Sequence, residues 1–223
     1  MSAGVRVGVL VSGRGSNLEA LCEAAASPSF PARIALVISN RRDAGALEIA
    51  SRRGIPTEVM PLGHYDHDEG ARDRAMRDRL RLAGVELVVC AGYNRILTDE
   101  FLAAFPDAIL NVHPSLLPAF GGGMRAVEAA LDHGVKISGC TVQLLEPGIT
   151  DGGPIIVQRA VPVHEDDDAE SLRERIHAQE WVAVAEAVRL WCEGRIHREG
   201  RVVRITALPG ATDAPPSQAD SLR

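Results

Sequence analysis

Aromatic residues and lysine are scarce in this chain. Phe, Trp and Tyr make up 4% of the 223 residues, whereas hydrophobic residues make up 46%, so we expect an aliphatic core. Lys136 is the only lysine, and the formal net charge is −6. Because nucleic-acid binding depends on neutralising phosphates, this balance argues against a general nucleic-acid-binding protein. It is compatible with a local basic pocket for one small anionic substrate.

Paired cysteines and long apolar segments are also missing from the sequence. The four cysteines are scattered with no Cys-x-x-Cys pair, which predicts reduced thiols and argues against a disulfide framework or a metal site. No window approaches the length of a membrane span, and no charged leader precedes the first apolar run. We therefore expect a cytoplasmic protein that binds neither a metal nor a membrane.

Apolar runs alternate with helical patterns over the first half of the chain. This alternation, with strands that are apolar on both faces, predicts an α/β fold with a mostly parallel open sheet and helices on both faces. The predicted strands are residues 5–11, 34–39, 57–60, 87–91 and 108–113, and the predicted helices are residues 18–26, 44–53, 69–83 and 98–105.

The pattern changes after Pro118. A helix at about residues 125–132 precedes two longer strands, 136–145 and 154–163, which we predict to be antiparallel or mixed. We expect residues 1–208 to form a single domain and residues 209–223, rich in Pro, Ala, Ser and Asp, to form a disordered tail. A long helix is predicted over residues 169–193, with apolar residues at helical spacing: Leu172, Ile176, Trp181, Val184, Ala187 and Leu190.

An amide and an imidazole end the fifth predicted strand. Side chains two residues apart in a strand point to the same face, so Asn111 and His113 should project together. Pro114 then stops the strand, because proline lacks the backbone donor that a sheet requires. Open α/β sheets bind their ligands at the carboxyl ends of their strands. The pattern therefore predicts a hydrogen-bond donor and a proton carrier at a catalytic position.

The first strand is followed by a glycine-rich loop, Ser-Gly-Arg-Gly-Ser-Asn, at residues 12–17. Backbone N–H groups at the start of the next helix would favour an anion such as a phosphate monoester. A dinucleotide fingerprint would need a third glycine where the chain has Leu18, so we do not expect a nicotinamide site. A glycine-rich turn without any ligand explains the loop equally well on its chemistry alone.

One carboxylate lies in the turn between the two later strands. Asp151 stands before two glycines, and taken alone it is best explained as a turn residue. Its position matters if it reaches His113, because a nearby carboxylate favours the protonated imidazole and fixes the tautomer.

Five motifs together resemble the phosphoribosylglycinamide formyltransferases, folate-dependent enzymes of purine synthesis, over roughly residues 5–205. The Asn-x-His-Pro-Ser-Leu-Leu-Pro motif is shared by transferases and hydrolases that use 10-formyltetrahydrofolate, and the Ser-Gly-x-Gly-Ser-Asn loop implies a phosphorylated substrate. The resemblance implies a Rossmann-like formyltransferase fold. The motifs are residues 12–17, 91–97, 111–118, 139–142 and 151–156.

The resemblance also implies a reaction and a role for each site residue. A formyl group would pass from 10-formyltetrahydrofolate to the amine of glycinamide ribonucleotide. Asn111 and protonated His113 would stabilise the formyl oxygen, and Asp151 would support His113 and help relay a proton. The remaining implied roles are phosphate binding by Gly15, Ser16 and Asn17, contact with the sugar and glycinamide part by Glu180, and lining of the folate pocket by Asn94, Arg95, Ile96 and Leu97 together with Asn111.

Some positions depart from the family pattern, and alternative functions remain. Gln143 replaces a common histidine, residues 121–123 form an unusual Gly-Gly-Gly loop, and Arg72 is a candidate for the folate glutamate tail. The main alternative is a formyltetrahydrofolate hydrolase, although no regulatory domain precedes the first strand. A methionyl-tRNA formyltransferase would need a basic RNA-binding domain, and a non-catalytic binding module would not need all three polar residues. We expect a monomer or homodimer with two small-molecule substrates.

Overall fold

The computed structural model describes residues 4–149 and 151–207. Its main feature is a seven-stranded sheet with the order β3-β2-β1-β4-β5-β6-β7, in which the first five strands are parallel and β6 and β7 are antiparallel to their neighbours. This confirms the predicted mostly parallel sheet with antiparallel later strands. The strands are β1 Val5–Val11, β2 Ala32–Ser39, β3 Thr57–Val59, β4 Leu87–Cys90, β5 Ile109–His113, β6 Ile137–Leu144 and β7 Ile155–Pro162.

Helices cover both faces of the sheet, as the apolar strands require. They are α1 Ser16–Ala25, α2 Gly45–Arg52, α3 Glu69–Leu82, α4 Asp99–Ala103, α5 Ala126–Asp132 and α6 Ala169–Cys192. Val9 of β1 belongs to a core cluster with residues of α1, α2 and α6, whereas its neighbour Leu10 belongs to a second cluster with residues of α3 and α4. Successive side chains of β1 therefore point to opposite faces of the sheet and contribute to two separate hydrophobic cores.

Helix α6 differs from its predicted pattern at one position. Leu172 and Ile176 are fully buried as expected, but Trp181 is 41% exposed. At about 100° per residue, Trp181 lies roughly 180° around the helix from Leu172. The preceding residue, Glu180, lies on the buried side of the helix and is only 4% exposed. The sequence groups Trp181 with the apolar residues at helical spacing, but it lies outside the buried face, where the charged Glu180 lies instead.

A C-terminal hairpin was not predicted. Strands β8, Ile196–Glu199, and β9, Val202–Ile205, pair antiparallel around Gly200, whose φ is +61°. Both strands are short and mostly exposed, so the apolar alternation that marks a half-buried strand is weak. The tail predicted at residues 209–223 lies outside the described residues.

The four cysteines have no disulfide partner. Cys22, Cys90 and Cys140 are buried and Cys192 is partly buried, and burial raises the pKa of Cys90 to about 12. In the described part of the chain, no group of three or more His, Cys, Asp or Glu side chains is arranged to hold a metal ion. Within the same residues, no helix combines the length and apolar character needed to cross a membrane.

The topology places three loops at one edge of the sheet. Strands β1, β4 and β5 are neighbours and run parallel, so the segments that follow them leave the sheet on the same side. The strand order reverses between β1 and β4, and open α/β sheets bind ligands in the crevice at such a point.

Candidate active site

A cleft of about 870 Å³ lies at this edge of the sheet. It draws on the loops after β1, β4 and β5, on the segment between β6 and β7, and on helix α6. The structure brings all eleven predicted site residues to the lining of this one cleft: Gly15, Ser16, Asn17, Asn94, Arg95, Ile96, Leu97, Asn111, His113, Asp151 and Glu180.

Asn111 and His113 meet Asp151 across the cleft wall. The Asn111 Nδ2 atom lies 3.4 Å from Asp151 Oδ1, and His113 Nδ1 lies 3.5 Å from Asp151 Oδ2. The first contact is a long hydrogen bond, and the second is a contact at ion-pair distance. The His113 side chain is 5% exposed and that of Asp151 is 15% exposed, so the pair is largely shielded from water. The amide and the imidazole therefore share one face of β5, as the period of two predicted.

Both ring nitrogens of His113 face acceptors. Nδ1 faces the Asp151 carboxylate, and Nε2 lies 3.1 Å from the Phe120 carbonyl oxygen. A neutral imidazole has only one N–H group, so it can donate to one of these acceptors at a time. Each ring nitrogen therefore has an acceptor of its own within reach, the Asp151 carboxylate for Nδ1 and the Phe120 carbonyl for Nε2.

Asp151 adopts an unusual backbone conformation that its neighbours hold. Its φ is +44°, in the left-handed region that non-glycine residues rarely adopt. Gln143 makes two hydrogen bonds to this turn. Its Nε2 donates to Asp151 Oδ1 at 3.3 Å, and its Oε1 accepts from the Gly152 N–H at 2.9 Å. The Gly122 N–H donates to Asp151 Oδ2 at 3.0 Å, and Arg201 of the hairpin donates to the Gly152 carbonyl at 2.6 Å.

Gln143 appeared in the sequence only as a departure from the family pattern. The β5–β6 register places it directly opposite Asn111, and its side chain is fully buried. Sequence reasoning could not identify this role, since it depends on the antiparallel register of two strands.

The glycine loop after β1 is shaped by packing against α2. Gly15 has a φ of +89°, and a Cβ atom at this position would lie 2.6 Å from the Ala46 Cα atom. A side chain at Gly13 would meet nothing within 4 Å. The structure therefore explains Gly15 by close packing alone, and a phosphate-binding role for it is an additional proposal.

Asn17 and Glu180, predicted for different parts of a substrate, are joined by a buried hydrogen bond. Asn17 Nδ2 donates to Glu180 Oε2 at 2.9 Å, and both side chains are more than 90% buried. Burial raises the pKa of Glu180, and the hydrogen bond from Asn17 opposes part of that shift. Asn17 Oδ1 has no hydrogen-bond partner among the described residues.

Three basic residues near this pair were missed. Arg14, Arg173 and His177 all line the cleft, and Arg173 donates to Glu128 at 2.7 Å. Burial and the nearby Arg14 and Arg173 lower the pKa of His177. The sequence did contain a signal, because Arg173 and His177 are four residues apart on α6 and therefore share a helix face.

The segment after β4 forms another wall of the cleft. The Asn94 N–H donates to Ser12 Oγ at 2.9 Å, and Asn94 Oδ1 accepts from Asn40 Nδ2 at 2.9 Å. Leu97 is buried, whereas Ile96 is 67% exposed. The wall therefore offers an apolar surface that is held by polar contacts to the residues immediately after β1 and β2.

Arg72 does not lie where the sequence interpretation placed it. Its side chain is fully buried and pairs with Asp73 at 2.7 Å, and it is not part of the cleft lining. A fully buried guanidinium cannot reach a carboxylate in solvent. The suggestion that Arg72 binds the glutamate tail of folate was therefore wrong.

Comparison with known proteins identifies a family. The family model described as "Formyl transferase" matches residues 5–188. The crystal structure of glycinamide ribonucleotide transformylase 1 from Symbiobacterium toebii superposes with a TM-score of 0.89 at 48% identity, covering 93% of this chain and 96% of that one.

Two curated relatives differ in how much of their length the chain covers. Phosphoribosylglycinamide formyltransferase of Haemophilus influenzae is 36% identical over 191 residues, which are 86% of this chain and 89% of that protein. Trifunctional purine biosynthetic protein adenosine-3 of Bos taurus is 40% identical over 90% of this chain, but the chain spans only 20% of its length. The chain belongs to the formyl transferase family, and within it to the phosphoribosylglycinamide formyltransferases.

Proposed function

We propose that the chain transfers a formyl group from 10-formyltetrahydrofolate to the amine of N1-(5-phosphoribosyl)glycinamide, a reaction of de novo purine synthesis. The observation that carries the proposal is the meeting of Asn111, His113 and Asp151 in a large cleft that also contains the glycine loop. An amide donor and an imidazolium next to a carboxylate are the groups that formyl transfer to an amine requires.

10-Formyltetrahydrofolate supplies the formyl group as co-substrate. As the amine attacks the formyl carbon, negative charge develops on the formyl oxygen, and Asn111 and protonated His113 stabilise it. Asp151 faces Nδ1 of His113, so the proton on Nε2 is the one that can reach the formyl oxygen. In that complex, the formyl oxygen would replace the Phe120 carbonyl oxygen as the hydrogen-bond acceptor of Nε2. Asp151 lies against the His113 imidazole and helps to pass the proton lost by the amine towards the departing folate nitrogen.

The ribonucleotide is assigned to the end of the cleft formed by the β1 loop and α6. Backbone N–H groups of Gly15, Ser16 and Asn17 lie where α1 begins and would bind the phosphate, with positive charge from the adjacent Arg14 and from His177 when it is protonated. Glu180, buried against Asn17, offers its carboxylate to the sugar and glycinamide part. His177 Nε2 lies 4.0 Å from Glu180 Oε2, so the carboxylate and a basic residue are neighbours at this end of the cleft.

The folate is assigned to the wall formed by Asn94, Arg95, Ile96 and Leu97. The exposed Ile96 and the buried Leu97 provide apolar surface, and Arg95 provides positive charge for an anionic tail. A volume of about 870 Å³ lies near the upper end of the range for ligand sites, so it can hold two small molecules side by side.

We propose that the chain forms one domain and acts as a monomer or homodimer. The sheet is continuous from β3 to β7, and the cleft uses both its parallel and its antiparallel strands. Size-exclusion chromatography with light scattering would determine the assembly state, and limited proteolysis should leave one resistant fragment.

The function is tested by measuring formyl transfer with and without the ribonucleotide. We expect tetrahydrofolate release to depend on the ribonucleotide and the formyl group to appear on its amine. His113→Ala should lower the rate of transfer strongly, whereas His197→Ala, on an exposed strand of the hairpin, should not change it. Tetrahydrofolate release without any ribonucleotide and without formylated product would instead indicate a formyltetrahydrofolate hydrolase.

A further inference from the structure

Two consecutive charged residues are buried on helix α3. Arg72 and Asp73 have side chains that are 0% and 1% exposed, although the neighbouring Arg74 side chain is 47% exposed. Fully buried charges are rare in proteins unless they are paired. The Arg72–Asp73 ion pair itself is made within one helix, so this contact alone does not join two elements of the fold.

The pair instead reaches the wall assigned to folate. Arg72 Nε and Nη2 both bond Asp73 Oδ1, at 2.9 and 2.7 Å, and Nη2 also donates to the Ile96 carbonyl at 3.3 Å. Asp73 Oδ2 accepts from the Thr98 N–H at 2.7 Å. The two side chains therefore hold the backbone on both sides of Leu97, which lines the cleft.

The same contact fixes where the wall ends. Thr98 is the N-terminal cap of α4, and its Oγ1 accepts from the Phe101 N–H at 3.4 Å. By binding the Thr98 backbone, Asp73 holds the junction between the wall and the helix. The wall itself belongs to no strand or helix, so its backbone depends on such side-chain contacts.

Stability does not explain why these charges are buried. A buried ion pair is often no more stable than apolar residues of similar size, because both charges lose their hydration. Arg72 Nη1 has no hydrogen-bond acceptor within the described part of the chain, which adds to the cost. Positioning of the Ile96 and Thr98 backbone explains the buried pair better than stabilisation of the fold does.

We propose that Arg72 and Asp73 are positioning residues that set the backbone at the end of the wall, from Ile96 to the α4 cap Thr98, for binding the folate co-substrate. This inference rests on the proposed function. It predicts that changing the pair alters folate binding and leaves ribonucleotide binding at the β1 loop unchanged, since the pair does not contact that loop.

The test compares Arg72→Met with a matched control, Arg77→Met. Arg77 lies on the same helix and bonds Asp78 and Glu100, but it does not contact the wall. Arg72→Met should raise the folate KM about tenfold or more, as expected for a small displacement of a binding group. The ribonucleotide KM should stay within about twofold, since the other end of the cleft is untouched. Arg77→Met should change neither KM, and Arg72→Lys should restore only part of the folate affinity.

A second variant separates positioning from folding. Arg72→Met alone leaves Asp73 as an unpaired buried charge and could unfold the chain, so Arg72→Met with Asp73→Asn removes both charges. The double variant should keep a Tm close to that of the wild type and still show the raised folate KM. A folate KM equal to the wild-type value, or an equal rise in both KM values, would overturn the proposal. If the wild-type protein neither transfers formyl groups nor binds tetrahydrofolate in calorimetry, the proposed function itself fails, and this inference fails with it.

Discussion

Replacing Asp151 by Asn removes one charge from the candidate active site with almost no change in shape. The two carboxylate oxygens are approached by the donors of Asn111, Gln143, His113 and Gly122, two on each oxygen. An Asn side chain keeps one oxygen and presents an NH₂ group in place of the other. In either orientation, two donors therefore lose their acceptor and face another donor.

The structure sets the size of two separate effects. Two lost hydrogen bonds at about 0.5–1.5 kcal/mol each predict a destabilisation of about 1–3 kcal/mol. In a chain of this length, each kcal/mol lowers Tm by about 2–4 °C, so the variant should remain folded at 25 °C. The effect on catalysis should be larger: we expect kcat to fall by about 10²–10³, because a neutral imidazole stabilises the formyl oxygen less.

The assay is a double-mutant cycle on kcat with saturating substrates. Asp151→Asn and His113→Ala should each lower kcat strongly, and the double variant should lose much less than the product of the two effects, because groups that act as a unit are not additive. The ¹⁵N chemical shifts of His113 should show a smaller protonated fraction in Asp151→Asn at the same pH. Multiplicative effects together with an unchanged protonated fraction would show that Asp151 is only a turn residue.

Three further substitutions, one of them a control, test the ribonucleotide end. Because burial raises the pKa of Glu180, its carboxylate destabilises the folded state at pH values above that pKa, and the penalty is lost as the pH falls below about 4. Glu180→Gln should therefore raise Tm at pH 8 but not at pH 4, measured by calorimetry, and should raise the ribonucleotide KM. Gly15→Ala should lower Tm, because its Cβ would collide with Ala46, whereas Gly13→Ala should leave Tm unchanged. Equal Tm values for the two glycine variants would contradict the packing explanation.

Local periodicity was sufficient to predict the sheet and the centre of the site. Apolar runs identified the five parallel strands, because strands covered by helices on both sides have no polar face. The period of two placed Asn111 and His113 on one face of β5 without any knowledge of the neighbouring strands. Asp151 could be added only through the family resemblance, since the segment that carries it is irregular.

Contacts that depend on register or on helix phase were harder to predict. The role of Gln143 follows from its position opposite Asn111, which the chain sets only when β5 and β6 pair. The burial of Arg72 could have been predicted from the sequence. Arg72, Met76 and Leu80 are spaced four residues apart and therefore lie on one buried face of α3. The charge of Arg72 suggested that it binds the folate glutamate tail at the surface, but its position on the buried face of the helix excludes this.

The two buried polar pairs lie on opposite faces of the sheet, next to the two ends of the cleft that we assign to different substrates. Asn17 and Glu180 belong to α1 and α6, which pack on one face, whereas Arg72 and Asp73 belong to α3 on the other. Each pair buries polar atoms at a cost to stability and touches a segment that lines the cleft. Because the pairs share no contact, substitutions at each should change the KM of a different substrate, and their effects on binding free energy should add. Coupling between them above about 0.5 kcal/mol would mean that the two ends of the cleft move together.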